Sequence, residues 1–236
     1  MKVTLTRVTE NPVLAVEEAA SNCYDSEPTQ DGRIMQSCYS SGHASVLEFC
    51  DFTFHIEGVS RALLAQITRH RVASFSVRSQ RYCREDGFGY ITPKSISKNK
   101  EALDEYEHFM DRCKLTYAEL IRLGVPAEDA RFVLPNACET VLECKMNGRE
   151  LIHFMNERLC TRAQWEIRDL AKAMKKAVAE HDAQCAQFAK FFVPKCYANP
   201  KYPFCKEHKS CGLAPKLSDV YEAYLKNAAE EREANE

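Results

Sequence analysis

The stretch Arg69-His70-Arg71-Val72-Ala73-Ser74-Phe75-Ser76-Val77-Arg78-Ser79-Gln80-Arg81-Tyr82 holds four arginines, one histidine, three serines and one glutamine, and no acid. It follows a run, Val59 to Thr68, that reads as a helix, so it starts at the negative end of a helix dipole. A guanidinium can give two parallel charge-assisted hydrogen bonds to one phosphate, which makes such a segment suited to a phosphate-bearing ligand. Charge alone leaves a second possibility, a solvated basic turn.

The rest of the chain narrows the choice. Its 236 residues suffice for one generous domain with a sizeable core. The formal net charge is −2, so the total asks for neither nucleic acid nor an anionic membrane, and any anion site must be local. No stretch reads as long and apolar enough to span a bilayer, and Met1 to Arg7 lacks the apolar region of a signal peptide. A cytoplasmic location is the resulting expectation. Twelve cysteines then point to reduced thiols or a metal site rather than to a disulfide framework. Cys23, Cys38, Cys50, Cys113, Cys138, Cys144 and Cys160 sit in apolar or periodic surroundings and read as small core residues.

Periodicity predicts the elements. Lys2 to Val8 alternates as a strand, as does Glu48 to Glu57. Asn11-Pro12 reads as an N-cap with proline at the first helical position, opening a helix to Cys23. Ile34 to Tyr39 is a short helix. Asn99 to Leu123 carries an apolar stripe of helical period that ends at Gly124. Pro126 opens a short helix through Phe132, and Cys138 to Met146 is strand-like. Arg149 to Arg158 and Gln164 to Phe192 are helical, and a polar helix follows from Leu217. Strands and helices do not alternate regularly, so the fold class is α+β, a mixed or antiparallel sheet packed with several helices. No glycine-rich dinucleotide fingerprint is present.

Four blocks in order carry a more specific signal. Gly42-His43-Ala44-Ser45-Val46-Leu47-Glu48 is the first. The second is Gln66, then Arg69-His70-Arg71, seven residues, Ser79 and Gln80-Arg81-Tyr82. Ala130-Arg131-Phe132-Val133-Leu134-Pro135 is the third. Asn147-Gly148-Arg149, His153-Phe154, Arg158 and Ala163-Gln164-Trp165-Glu166-Ile167-Arg168 form the fourth. Together they resemble the flavin-dependent thymidylate synthase family. The resemblance implies a single catalytic domain of that type over residues 1–193. The motifs give no support after Lys190, and 194–236 reads from composition as a Cys- and Lys-containing extension ending in a polar helix.

It also implies an activity: methylation of dUMP to dTMP, with 5,10-methylenetetrahydrofolate as carbon donor and FAD, reduced by NADPH, as hydride source. Family members are usually homotetramers with active sites at subunit interfaces. By the resemblance, Gln66, Arg69, Ser79, Gln80, Arg81, Arg131 and Arg158 would bind dUMP. Ser45, Arg69, His70, Arg71, Asn147, Arg149, His153 and Arg162 would bind FAD. Arg158 is the catalytic candidate, because a guanidinium beside uracil favours the charge-bearing form of the ring. The carbon so activated needs no protein thiol, which leaves Cys83, beside Tyr82, without a required role. Nine residues at about 100° each put Arg149 and Arg158 on opposite sides of their helix.

The chain departs from the family pattern at Val77, where many relatives carry Glu or Gln, and at Arg162, where many have His. Arg78 either strengthens phosphate capture or points to solvent. Trp165 and Ile167 read as packing residues, His55 as a satisfied polar group and His181 as surface. Cys185, Cys196, Cys205, His208 and Cys211 lie close in sequence, but their spacing is irregular, and Lys195, Lys201, Lys206 and Lys209 make the segment positive. Free thiols are the expectation, with Cys196, Cys205, His208 and Cys211 as the alternative metal set. Two other functions compete: a non-catalytic nucleotide-binding protein of the same fold, and a single-strand nucleic-acid-binding module using Phe75 and Tyr82 as stacking platforms.

Overall fold

A computed structural model describes residues 1–23, 25–199 and 203–233, without the side chains of 227–233. Lys201 therefore lies outside the described residues. In chain order the elements are β1 (Lys2–Val8), α1 (Pro12–Ser21), α2 (Arg33–Ser40), a 3-10 turn (Ala44–Phe49), β2 (Asp51–Ser60), α3 (Arg61–Ile67), β3 (Ser74–Val77), α4 (Lys94–Ser97), α5 (Lys100–Arg122) and α6 (Ala127–Ala130). A 3-10 turn (Arg131–Val133), β4 (Glu139–Asn147), α7 (Gly148–Arg158), α8 (Trp165–Ala179) and α9 (Ala183–Phe188) follow. Two more 3-10 turns (Ala189–Phe191 and Lys195–Tyr197) precede α10 (Leu217–Glu233). The α+β class read from the sequence is the one observed.

The chain divides into two compact units that interleave along the sequence. Met1–Arg7 and Thr53–Met146 form one; Val8–Phe52 and Asn147–Glu236 form the other.

The first unit is built on a four-stranded sheet in the order β1-β2-β4-β3. Phe54 and Ile56 of β2 and Leu142, Cys144 and Met146 of β4 are buried at alternate positions, as a half-buried strand requires. The helix expected from Val59 begins two residues later. Val59 is still strand, and the Ser60 hydroxyl starts α3 by accepting a hydrogen bond from the Leu63 amide at 3.0 Å. β3 is a strand the sequence reading did not contain. It pairs antiparallel with β4, Ser74 opposite Lys145 and Val77 opposite Leu142. Asn99 caps α5, its Oδ1 accepting from the Ala102 amide at 3.2 Å. The helix stops before Gly124, whose φ of +84° only glycine adopts without strain.

The second unit packs α1, α2, α7, α8 and α9 around aromatic side chains, with Phe188 against Phe52 and Phe192 at centroid separations of 5.0 and 5.8 Å. Three expectations are corrected here. Asn11 does not cap α1 with its side chain. Its φ of 49° is left-handed, which carries the amide away from the helix start. Gln184 of α9 takes the task, its Oε1 accepting from Val13 and Leu14 amides at 3.2 and 3.3 Å. The second correction concerns the helix expected over Gln164 to Phe192. It breaks after Ala179, because Asp182 starts a new helix by accepting from the Cys185 amide at 2.7 Å. The third is that the strand expected from Glu48 starts at Asp51, since Ala44–Phe49 winds as a 3-10 turn.

Most cysteines assigned to the core are buried, but Cys23 is exposed and Cys160 half-buried. Each of those two lies in the turn after a helix, where apolar neighbours in sequence do not enclose it. Burial pushes the Cys50 thiol up to about 12 and the Cys138 thiol up to about 11, so both stay protonated at neutral pH.

Gly148 opens α7 where the backbone has no room for a side chain. A Cβ there would lie 2.6 Å from Cys50 Sγ, 2.7 Å from the Leu47 carbonyl oxygen and 2.7 Å from Phe188 Cζ. Gly148→Ala should therefore destabilise the protein by about 2 kcal/mol, read from the shift in urea midpoint. A loss below about 0.5 kcal/mol would show that the contact relaxes freely.

Candidate active site

In the first unit the basic stretch divides into three parts. Arg69 and His70 wind off the end of α3, their amides bonding the carbonyls of Gln66 and Ile67 at 3.3 and 3.0 Å. Ser74 to Val77 is β3, and the Arg78 amide extends the ladder to the Val141 carbonyl at 3.0 Å. Ser79 to Cys83 then closes as a turn, with the Cys83 amide on the Ser79 carbonyl at 2.9 Å.

The side chains within this stretch differ sharply. Arg69 and Arg71 are exposed, and no acidic partner is recorded for either among the described residues. Gln66 is half-buried and His70 is buried at 5% exposure. Gln80 turns inward, its Nε2 3.6 Å from Cys138 Sγ. Arg78 neither waits for a ligand nor points freely to solvent. Its Nε donates to the buried-side carboxylate of Glu85 at 3.0 Å, which holds the guanidinium above its ordinary pKa.

Arg81 and Arg131, fifty positions apart, meet at Glu128. Arg81 Nε donates to Glu128 Oε2 at 3.2 Å, while Arg131 Nε donates to the backbone carbonyl of the same residue at 2.9 Å. Ser79 Oγ accepts from the Arg81 amide at 3.3 Å. The two guanidiniums lie over neighbouring rings, Arg81 over Tyr82 and Arg131 over Phe132, at 5.4 and 5.9 Å. Both rings are outward-facing, 80% and 82% exposed. Glu128 had no signal in the sequence, because its ion pair with Arg81 spans 47 residues.

In the second unit α7 carries three of the expected residues. Arg149 and His153, four apart, lie on one exposed side, while Leu151, Ile152, Phe154 and Met155 are buried. Arg149 Nη1 meets Glu48 Oε1 at 2.6 Å, which ties the helix start to the turn bearing exposed Ser45. Arg158 is half-buried at the last residue of the helix. Asn147 is the N-cap: its Oδ1 accepts from the Glu150 amide at 2.9 Å, so its Nδ2 donors remain for another partner. Arg162 sits apart from these, in the turn after α7, in a pocket that it shares with four cysteines.

Other sequence assignments also find their place. His55 Nδ1 is 2.6 Å from Glu143 Oε1, a satisfied polar residue. Ile167 is fully buried, Trp165 half-buried, and His181 exposed in the turn between α8 and α9 rather than on a helix. Among the described residues no helix is long and apolar enough to cross a membrane.

The fold and its collected cations define an α+β protein equipped for anionic ligands. Comparison makes this specific. The family profile described as "Thymidylate synthase complementing protein" matches residues 4–182. A flavin-dependent thymidylate synthase of Geobacter sulfurreducens is 47% identical over 190 residues, 75% of this chain and 82% of the relative. One from Clostridium tetani is 36% identical over 247 residues, 94% and 97% of the two chains. The crystal structure of a flavin-dependent thymidylate synthase from Helicobacter pylori, complexed with FAD and dUMP, matches with a TM-score of 0.63 at 26% identity. That match covers 82% of this chain and 100% of the other. The chain belongs to the flavin-dependent thymidylate synthase family.

The capping role of Asn147 can be checked directly. Asn147→Ala should cost about 1 kcal/mol of stability, whereas Asn147→Asp, which keeps a capping oxygen, should cost little. Equal losses in the two variants, measured by denaturant titration, would remove the cap from the account of this helix.

Proposed function

We propose that this protein converts dUMP to dTMP, taking a methylene group from 5,10-methylenetetrahydrofolate. The observation that carries the proposal is the distribution of charge partners. Arg78, Arg81, Arg84 and Arg149 each face a carboxylate, while Arg69 and Arg71 face none among those described. In a chain of net charge −2, cations left over at a motif of this kind are suited to phosphate oxygens. The family's Helicobacter pylori member was crystallised with two phosphate-bearing ligands, FAD and dUMP.

On this basis Arg69, His70 and Arg71, with Ser45, Asn147, Arg149, His153 and Arg162, would hold FAD. The free guanidiniums fit its pyrophosphate, and the Asn147 amide and Ser45 hydroxyl fit its polar edges. Bound FAD, reduced by NADPH, supplies the hydride. Ser79, Arg81 and Arg131 take the dUMP phosphate, with Glu128 holding the two arginines in place before the ligand arrives. Gln66, Arg69, Gln80 and Arg158 complete the dUMP set, Gln80 by buttressing the Ser79–Arg81 turn from beneath.

Arg158 directs the chemistry. Its guanidinium favours negative charge on the uracil ring, which raises electron density at the ring carbon that attacks the methylene. No thiol need add to the ring. The exposed Tyr82 and Phe132 beside the phosphate site are large apolar surfaces that a second copy of the chain would cover, in keeping with a homotetramer whose active sites lie at subunit interfaces. A cytoplasmic location suits such an enzyme.

Purified protein should be yellow. Its flavin absorbance should bleach on NADPH, and dTMP should form when dUMP and the folate are added. Arg158→Ala should lower dTMP formation by roughly 100-fold or more with flavin still bound. Cys83→Ala should keep most of the activity. If Cys83→Ala abolishes turnover while retaining flavin, the thiol-free account is wrong. Colourless protein that cannot be reconstituted with FAD would refute the assignment as a whole.

A further inference from the structure

The pocket that contains Arg162 is lined by Cys160, Cys196, Cys205 and Cys211, together with Lys195, Lys206, Glu207 and Lys209. Cys160 is 36 or more residues from the other three, so the grouping is a product of the fold. His208, the fourth ligand in the set read from the sequence, does not line the pocket and is exposed. Cys185 is buried in the core beside α9. Cys160, in the turn two residues after Arg158, takes the fourth place.

We propose that Cys160, Cys196, Cys205 and Cys211 bind one zinc ion, which staples the segment 194–216 to the turn between α7 and α8. Four sulfurs and no imidazole suit tetrahedral zinc.

Two observations support the assignment. First, the segment is poor in the means to hold itself. Among its described residues only Ala214 is a buried apolar side chain. Yet its backbone is closely folded: the Phe204 amide bonds the Cys196 carbonyl at 3.1 Å, the Cys205 amide the Pro215 carbonyl at 2.7 Å, and the Leu217 amide the Cys205 carbonyl at 3.2 Å. Tyr197 Oη adds a bond to the Leu213 carbonyl at 2.9 Å. Small coreless segments of this kind are stabilised by metals or disulfides, and all twelve cysteines are free.

Second, the charge around the pocket is of the right sign. Four thiolates and one Zn²⁺ carry a net charge of −2, and Arg162, Lys195, Lys206 and Lys209 line the same space. Read along the sequence, these cations argue against a cation site; placed around a tetrathiolate centre, they offset its excess negative charge. Lys195 is itself fixed, between Glu207 at 2.5 Å and Glu157 at 3.8 Å.

The four sulfurs do not stand at coordinating distance from a common point in the structure, since that would bring them within 4.8 Å of one another. Ligation therefore asks for an inward movement of the loop. Each ligating thiol releases its proton to solvent, so affinity falls as pH falls. A rival trio, His181, Asp182 and Cys185, does have ligand atoms within 4.8 Å of one another. Asp182 is already committed to capping α9, and Cys185 is fully buried in the core.

The test uses full-length protein with its flavin, purified without chelator. Elemental analysis should find about one zinc per chain, and the Cys205→Ser/Cys211→Ser double variant should lose it. If that variant fails to fold, the unaltered protein still decides the matter. Cobalt exchanged for zinc should give the thiolate-to-metal charge-transfer and visible bands of a tetrahedral sulfur site. Zinc that survives in Cys160→Ser and in the double variant would overturn the proposal. So would iron in place of zinc, a disulfide among these cysteines, or cobalt bands of an octahedral oxygen site. Flavin colour and dTMP formation are separate readouts, so failure here leaves the catalytic reading intact, and the reverse.

Discussion

Four residues of strand, Ser74 to Val77, pair with Leu142 to Lys145 at the edge of the sheet, and the placement of the cationic motif follows from that ladder. Upstream the chain leaves α3 through Arg69–Arg71; downstream it turns through Ser79–Cys83. At about 3.3 Å per residue the strand spans roughly 13 Å and holds the two cationic ends apart at a fixed separation. A flexible linker of the same length would let the guanidiniums disperse into solvent. The ladder is secure because its partner strand is buried on one face, through Leu142, Cys144 and Met146. Moving the pairing by one residue would put those side chains on the wrong face.

Within that frame, carboxylates decide what each arginine is available to do. Glu85 takes Arg78 into a structural pair. Glu48 tethers Arg149 across a hundred residues of sequence. Glu128 engages Arg81 through its side chain and Arg131 through its backbone, which gathers two cations at one place at little cost in stability. These surface pairs contribute little energy individually. Their effect is on geometry: they limit the rotamers of long side chains that would otherwise lose that freedom only when a ligand binds.

The cysteines divide along similar lines. Cys50, Cys138 and Cys185 are enclosed, and their thiols are raised by burial, so they serve as small apolar residues. Cys160, Cys196, Cys205 and Cys211 instead border a pocket rimmed with lysines, where the proposed zinc would compensate for the lack of apolar filling.

The sequence by itself determined the α+β class, the extents of β1, α2 and α5, and the family, because these rest on short-range period and on ordered motifs. It also marked Asn147 and Arg149 as one local group, since a helix start is a local event. Asp182 divides the long helix predicted after Gln164 through a local cap on the Cys185 amide. Only the tertiary structure decided that Gln184 rather than Asn11 caps α1. The same holds for the meeting of Arg81 with Arg131 at Glu128, and of Cys160 with three cysteines of the distant loop. Each of these depends on a partner tens of residues or more away, and hydrogen-bonding groups are paired according to which partner the packing brings within about 3 Å, not according to which is nearest in the chain.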